Sequence, residues 1–271
     1  TLSARLKLPR EGAPADMVAA LYAAEGAGGL ERLRGHWSAA VLDRRERRIV
    51  VANDAAGLRP LYRARAADGA WVIASSPAAV LAQGGVPRAI DPAGLADTLA
   101  FSFPLGAQTL FAGVDCLPPA SVLTWDAATG ELKQRQYWQL ATREPTSGNL
   151  ADLERIRGMF NDGVADIVKL GGPITLALSG GMDSRAILSA LLACGASFQT
   201  LTHSIEEATD AHLSGVLARL ADAPHHFYKV TGEGLRGRMA EGVRMMGGRV
   251  AAVDVHPLCF LDDIATYSRV V

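Results

Sequence analysis

The sequence predicts two domains, a β-rich α+β domain followed by an α/β domain built on a doubly wound parallel sheet. Three observations carry this. In the first half, short apolar runs recur between charged or Gly/Pro turns at the spacing of antiparallel strands. In the second half, apolar runs of strand length alternate with segments of helical period. Between the halves, residues 142–149 hold Pro145, Ser147 and Gly148 and read as a linker, which sets the expected domains at 1–141 and 150–271. A chain of 271 residues is long enough for two cores.

Taken in order, residues 1–7 fit the alternation of a strand and the spacing of a short helix equally. Met17, Val18, Leu21 and Tyr22 give residues 16–25 a helical stripe that Gly26, Gly28 and Gly29 stop. Strands are expected at 37–42, 49–52, 61–62 and 71–74, then short helices at 77–82 and 92–99. A hairpin is expected with strands 121–125 and 136–138 around the turn 126–130. After the linker, residues 150–170 form an amphipathic helix whose stripe Leu153, Ile156, Phe160, Val164, Ile167 and Val168 is expected to pack on the sheet. Strands at 174–178, 198–202 and 226–230 are separated by helices. Met239, Val243 and Met246 mark a further helix at 232–246, a last one covers 257–266, and Val270-Val271 points to another strand.

Composition narrows the class. A hydrophobic share of 49%, a charged share of 20% and a net charge of -1 describe a globular protein without polyelectrolyte character, so nucleic acid is not an expected partner. Four of the 27 basic residues are Lys, and the rest are scattered Arg. No apolar run approaches the length needed to span a bilayer, so no membrane association is expected. Cys116, Cys194 and Cys259 are odd in number and widely spaced, which argues against a disulfide framework or a zinc site and points to a reducing, cytoplasmic setting.

The chemistry concentrates in Leu178-Ser179-Gly180-Gly181-Met182-Asp183-Ser184, placed between a buried strand and a helix. Gly180 and Gly181 are expected to adopt angles closed to other residues, and Asp183 or Ser184 to cap the helix. Amide N–H groups and a helix N-terminus favour phosphate. The Gly-Lys-Ser/Thr ending of a Walker A loop is missing. Asp183 beside a polyphosphate calls for a divalent cation, and Mg2+ uses one or two carboxylates plus phosphate oxygens. Mg-ATP is therefore the expected ligand, with Asp183 on the metal.

These residues match the SGGxDS signature of the ATP pyrophosphatases, and the chain resembles that superfamily. In the first half, Leu33-Arg34-Gly35, the run from Asn53-Asp54 to Leu61-Tyr62, Ile73-Ala74-Ser75-Ser76, Thr109 to Gly113, Leu117-Pro118-Pro119 and Tyr137-Trp138 resemble the glutamine amidotransferase domain of asparagine synthetase-like proteins. The resemblance implies an N-terminal-nucleophile-like α+β sandwich followed by an ATP pyrophosphatase-type sheet. It implies an ATP-dependent, amide-forming ligase acting on aspartate or a peptide carboxylate, with glutamine or ammonia as nitrogen donor. Relatives of the same plan close β-lactam rings or cyclise lasso peptides, and a non-catalytic nucleotide-binding descendant is the competing class. A homodimer is compatible with the family.

The resemblance also assigns roles. Leu178 and the backbone at His203-Ser204 would hold adenine, and Ser179, Gly180, Gly181, Asp183 and Ser184 the phosphates. Asp16 matches an aspartate that holds the glutamine α-amino group, although it reads more simply as a helix N-cap. Asp210 and the pair His225-His226 match an acidic residue opening a helix and a His pair entering the next strand. Asn53 stands where the family has Arg, and Ala120 where it has Gly. The family's nucleophile is an N-terminal Cys and its second acidic motif follows the next strand. Neither is found in 1–271, so the catalytic residues are unassigned and the chain as given is expected neither to hydrolyse glutamine nor to complete amide synthesis.

Overall fold

The computed structural model describes residues 14–141, 150–206, 208–249 and 252–266. The readings for residues 1–7, the linker 142–149 and the strand at Val270-Val271 lie outside the described residues. The chain divides into two compact units, residues 1–142 with 246–249, and residues 143–245 with 250–271. Its overall class is mixed α/β with several sheets.

The first unit opens with α1 (Pro14–Glu25), which buries Leu21 and ends where Gly26 turns with φ 65°. A single turn, α2 (Ala27–Leu30), follows and buries Leu30. Four antiparallel strands, β1 (Ser38–Asp43), β2 (Arg48–Asn53), β6 (Ser121–Asp126) and β7 (Leu132–Gln136), pair in the order β1-β2-β6-β7. A second antiparallel sheet has the order β4-β3-β5, from β3 (Tyr62–Arg65), β4 (Trp71–Ala74) and β5 (Val114–Cys116).

Side-chain alternation sorts the apolar residues into layers. Val50, Ala52 and Val122 face Leu30, Val18 and Tyr22 of the helices. The opposite face, Val51 and Leu123, meets Leu61, Leu117 and Ile73 between the two sheets. Tyr62, Ala64 and Val114 then face α3 (Pro77–Ala82) through Val80 and Leu81. The unit is thus layered helix, sheet, sheet, helix. The inter-sheet layer is open at the β1-β2 side, where exposed Ile49 lines a cavity with Trp71 and Trp125. Helix α4 (Pro92–Phe101) is capped by Asp91, whose carboxylate accepts from Gly94 N at 2.8 Å.

Two expectations change here, and one strand stands where none was expected. The second hairpin strand runs Leu132–Gln136 instead of 136–138. After Leu132 its sequence is polar and exposed and gives no apolar alternation, so pairing with β6 defines it. Strand β5, three residues long, is too short for a period to register. Asp16 lies inside the first turn of α1, exposed and past the cap position.

The second unit holds α5 (Leu150–Lys169), β8 (Thr175–Ala177), α6 (Met182–Ala193), β9 (Gln199–Ser204), α7 (Thr209–Leu220), β10 (His225–Lys229), α8 (Gly232–Met245), a 3-10 helix (Ala252–Phe260) and α9 (Leu261–Ile264). The strands are parallel in the order β10-β9-β8. One sheet face packs Leu176 and Leu178 on Val164, Leu188, Leu191 and Ala218 of the helices. The other packs Leu201 and Tyr228 on Phe260 and Ile264.

The expected stripe of α5 is only partly used. Val164 is buried and Val168 packs beside it, but Leu153, Ile156, Phe160 and Ile167 are exposed. The described sheet is three strands wide with β8 at its edge, so it offers no surface for the rest of the stripe. In place of the expected helix at 257–266 stand the end of a 3-10 helix (Ala252–Phe260) and one α turn.

Candidate nucleotide-binding loop

Strand β8 ends at Ala177, and Leu178, 2% exposed, continues its line by donating N–H to Leu201 O at 2.8 Å. Thr202 Oγ1 donates to Leu178 O from the neighbouring strand. The chain then turns at Ser179-Gly180-Gly181 into α6, at the carboxyl end of a parallel sheet where ligands of such folds sit.

The turn differs from its sequence reading in two ways. Neither Gly180 nor Gly181 has positive φ, and Gly181, at φ -72° and ψ 160°, is the N-cap with no side chain capping it. Asp183 and Ser184 therefore occupy the first turn instead of the cap position. Space explains Gly180: a Cβ there would lie 2.8 Å from Leu213 Cδ1 and 2.9 Å from Asp210 Oδ1.

The loop amides are already engaged. Ser179 N donates to Ser184 Oγ at 3.1 Å, Gly180 N to Asp210 Oδ1 at 2.9 Å and Gly181 N to Ser179 Oγ at 3.1 Å. Ser184, 9% exposed, also sets its Oγ 3.1 Å from Ser179 Oγ and from Ser179 O. The N–H groups of Met182, Asp183 and Ser184 find no acceptor among the described residues. Asp183 is exposed and has no partner among them either. An anion is thus offered the open first turn of α6, with the positive end of its dipole, beside a free carboxylate.

Of the sequence-assigned residues, Leu178, Ser179, Gly180, Gly181, Asp183 and Ser184 come together in this loop. His203 and Ser204 close β9, one strand over, with Leu201 of that strand bonded to Leu178. Asp210, read from sequence only as an acidic residue opening a helix, joins the loop through Gly180, and only the structure shows that contact. Among the described residues no group of three His, Cys, Asp or Glu could hold a metal. Asp183 is the exposed carboxylate in the first turn of α6.

His203 turns its ring away from the loop, stacked on Phe260 at 6.3 Å between centroids and edge-on to His256 at 4.6 Å, with Nδ1 buried and unbonded. Burial lowers its pKa, and repulsion from His256 adds to that. Protonation is then opposed in the folded state, so stability is lost as pH falls through the unfolded value of about 6.5. His203→Ala is expected to remove this acid sensitivity and lower the melting midpoint, yet to leave any Mg-ATP affinity within about threefold because its ring packs on Phe260 and His256. A larger loss in calorimetry would put the ring in the site.

In the first unit, Asn53 is fully buried, its Nδ2 donating to Pro118 O at 3.0 Å and its Oδ1 accepting from Ser121 N at 2.8 Å. Both ends of the amide are occupied by its own fold. Ala120 takes φ 56°, a left-handed angle that suits Gly and accounts for the residue type the family has there. Asp16 has no partner among the described residues. Cys116 is buried, and burial pushes its thiol pKa up, which makes it a poor nucleophile.

Comparison with known proteins follows these lines. Residues 10–138 match the glutamine amidotransferase domain. Asparagine synthetase [glutamine-hydrolyzing] 3 of Bacillus subtilis (strain 168) is 26% identical over 163 residues, 58% of this chain and 25% of that protein. The chain therefore spans about a quarter of the length of this curated relative. A glutamine-dependent NAD+ synthetase from Acinetobacter baumannii, solved with ADP, aligns with a TM-score of 0.33 and 14% identity over 59% of this chain and 30% of that one. Residues 10–138, within the first unit, are thus similar to a glutamine amidotransferase domain. The sequence matches show similarity to a glutamine amidotransferase domain and to an asparagine synthetase.

Proposed function

We propose that the protein is an ATP-dependent amide-forming ligase of the asparagine synthetase type. A carboxylate, from aspartate or a peptide, attacks the ATP α-phosphate and expels pyrophosphate to give an acyl-adenylate, from which ammonia drawn from glutamine, or an amine, then displaces AMP. The observation that carries this reading is the open first turn of α6 beside unpaired Asp183, at the carboxyl end of a parallel strand. Leu178 and the backbone at His203-Ser204 would border adenine, the N–H groups of Met182, Asp183 and Ser184 would take phosphate oxygens, and Asp183 would hold Mg2+. The cation, when bound, neutralises phosphate charge. The chain's own part is to fix the polyphosphate with preorganised donors. Relatives that close β-lactam rings or cyclise peptides would use the same loop, so the acceptor stays a separate question.

Calorimetry of Mg-ATP on the full reading frame tests the loop. Asp183→Asn is expected to bind at least about tenfold more weakly and to lose most of its Mg2+ dependence. Equal affinity at several Mg2+ concentrations would remove Asp183 from the metal site. The internally satisfied Asn53 favours a second reading, a nucleotide-binding protein that does not hydrolyse glutamine. Glutamate release from glutamine, assayed beside acceptor-dependent pyrophosphate release, separates the two.

A further inference from the structure

We propose that Asp210 is a positioning residue for the nucleotide loop, holding Gly180 so that the first turn of α6 stays open to polyphosphate. This rests on the ATP reading and adds a residue outside the Ser179–Ser184 segment to it. Of the three committed loop amides, Ser179 and Gly181 bond within the segment, while Gly180 bonds to a different element, the first turn of α7. That bond fixes the loop relative to the second βα crossover.

The contact is close on both sides. Asp210 Oδ1 lies 2.9 Å from Gly180 N, and a Cβ on Gly180 would come equally near the same oxygen and 2.8 Å from Leu213 Cδ1. Glycine is required here by the approach of α7, since its φ is not positive. The Asp210 charge is also well placed: it sits at the N-terminal end of α7, where Ala208 provides no side-chain cap, and it accepts an amide proton, so two dipoles offset its repulsion of a nearby phosphate. With Gly180 held, the amides left for an anion are those of Met182, Asp183 and Ser184.

The test is calorimetric titration of Mg-ATP into the full-length protein and its Asp210→Ala, Asp210→Asn and Asp210→Glu variants, with melting midpoints taken without nucleotide. Asp210→Asn keeps an oxygen for Gly180 and is expected within about threefold of wild type, whereas Asp210→Ala loses about tenfold or more. Asp210→Glu keeps the charge but misplaces the oxygen by a methylene and is also expected to weaken binding, which decides the matter should Asp210→Ala fail to fold. A role confined to the α7 dipole would spare Glu and penalise Ala and Asn alike, and that pattern would overturn the proposal. So would wild-type affinity in Asp210→Ala, or tighter binding in both neutral variants, which would mark the carboxylate as a competitor of phosphate. If wild type itself does not bind Mg-ATP, the ATP reading fails. The hold is then read from Gly180 amide exchange, expected slow in wild type and Asp210→Asn and fast in Asp210→Ala, and equal rates would overturn it.

Discussion

Asp54→Ala is expected to destabilise the first unit by about 3–5 kcal/mol, the cost of stripping a buried carboxylate from a set of backbone donors. Asp54 is 1% exposed, and its oxygens accept from Ala56 and Leu58 N at 3.1 Å, Arg59 N at 3.0 Å and Trp37 N at 3.4 Å. It thereby closes the loop 54–59 and ties it to the residue before β1. Alanine would leave those N–H groups unpaired, and Asp54→Asn, with one oxygen, should fall between. Burial pushes the Asp54 pKa up, but the donations from Arg59, Leu58, Ala56 and Trp37 outweigh it and leave the carboxyl below its ordinary value. The stabilisation is therefore complete above the unfolded value of about 3.9 and is lost as pH falls through the lower, folded one. Urea denaturation at pH 7 and between about pH 4 and 2 reads both effects. A loss under about 1 kcal/mol at pH 7 would show that the loop is held by other contacts.

How far such features could be foreseen depends on whether they are local. The run from Asn53-Asp54 to Tyr62 was legible as a family-like string, but not the reason for it, since the partners of Asp54 are amides of a turn that has no pattern of its own. Asn53 shows the same limit from the other side. Its substitution for Arg was visible, whereas its use in joining β2 to Ser121 and Pro118 depends on a pairing 65 residues away in sequence.

Periodicity served the helices well and their packing less well. The bounds of α5 follow from its stripe, yet a stripe says only that a face is apolar, and the described sheet supports the part around Val164. Strand β7 erred the other way, because an edge strand with polar side chains on both faces gives no alternation to read. At the nucleotide loop the sequence located strand, turn and helix. It assigned the glycines to unusual backbone angles, whereas Gly180 is set by space, and that distinction depends on Leu213 and Asp210 arriving from another helix.

On the ATP reading proposed above, Ser184→Ala is the substitution expected to affect nucleotide binding most. Ser184 lies in the first turn of α6, 9% exposed, and its hydroxyl is the point to which the start of the loop returns: it accepts from Ser179 N at 3.1 Å and lies 3.1 Å from Ser179 Oγ. Ser179 Oγ in turn accepts from Gly181 N, so two of the three loop amides depend on this hydroxyl directly or through one relay. Alanine fits the space but leaves Ser179 N without an acceptor and frees Ser179 to rotate. Opening that loop costs about 1–3 kcal/mol in hydrogen bonding, and most of it falls on the bound state, where the polyphosphate needs the α6 turn fixed. Mg-ATP affinity is expected to fall about 30- to 100-fold, with global stability lowered by only about 1 kcal/mol. Asp183→Asn should differ in kind, changing the Mg2+ dependence where Ser184→Ala changes affinity at every Mg2+ concentration. Titrations of the two variants against Mg2+ separate these effects, and a Ser184→Ala protein that binds within about threefold of wild type would show that the loop keeps its shape without that hydroxyl.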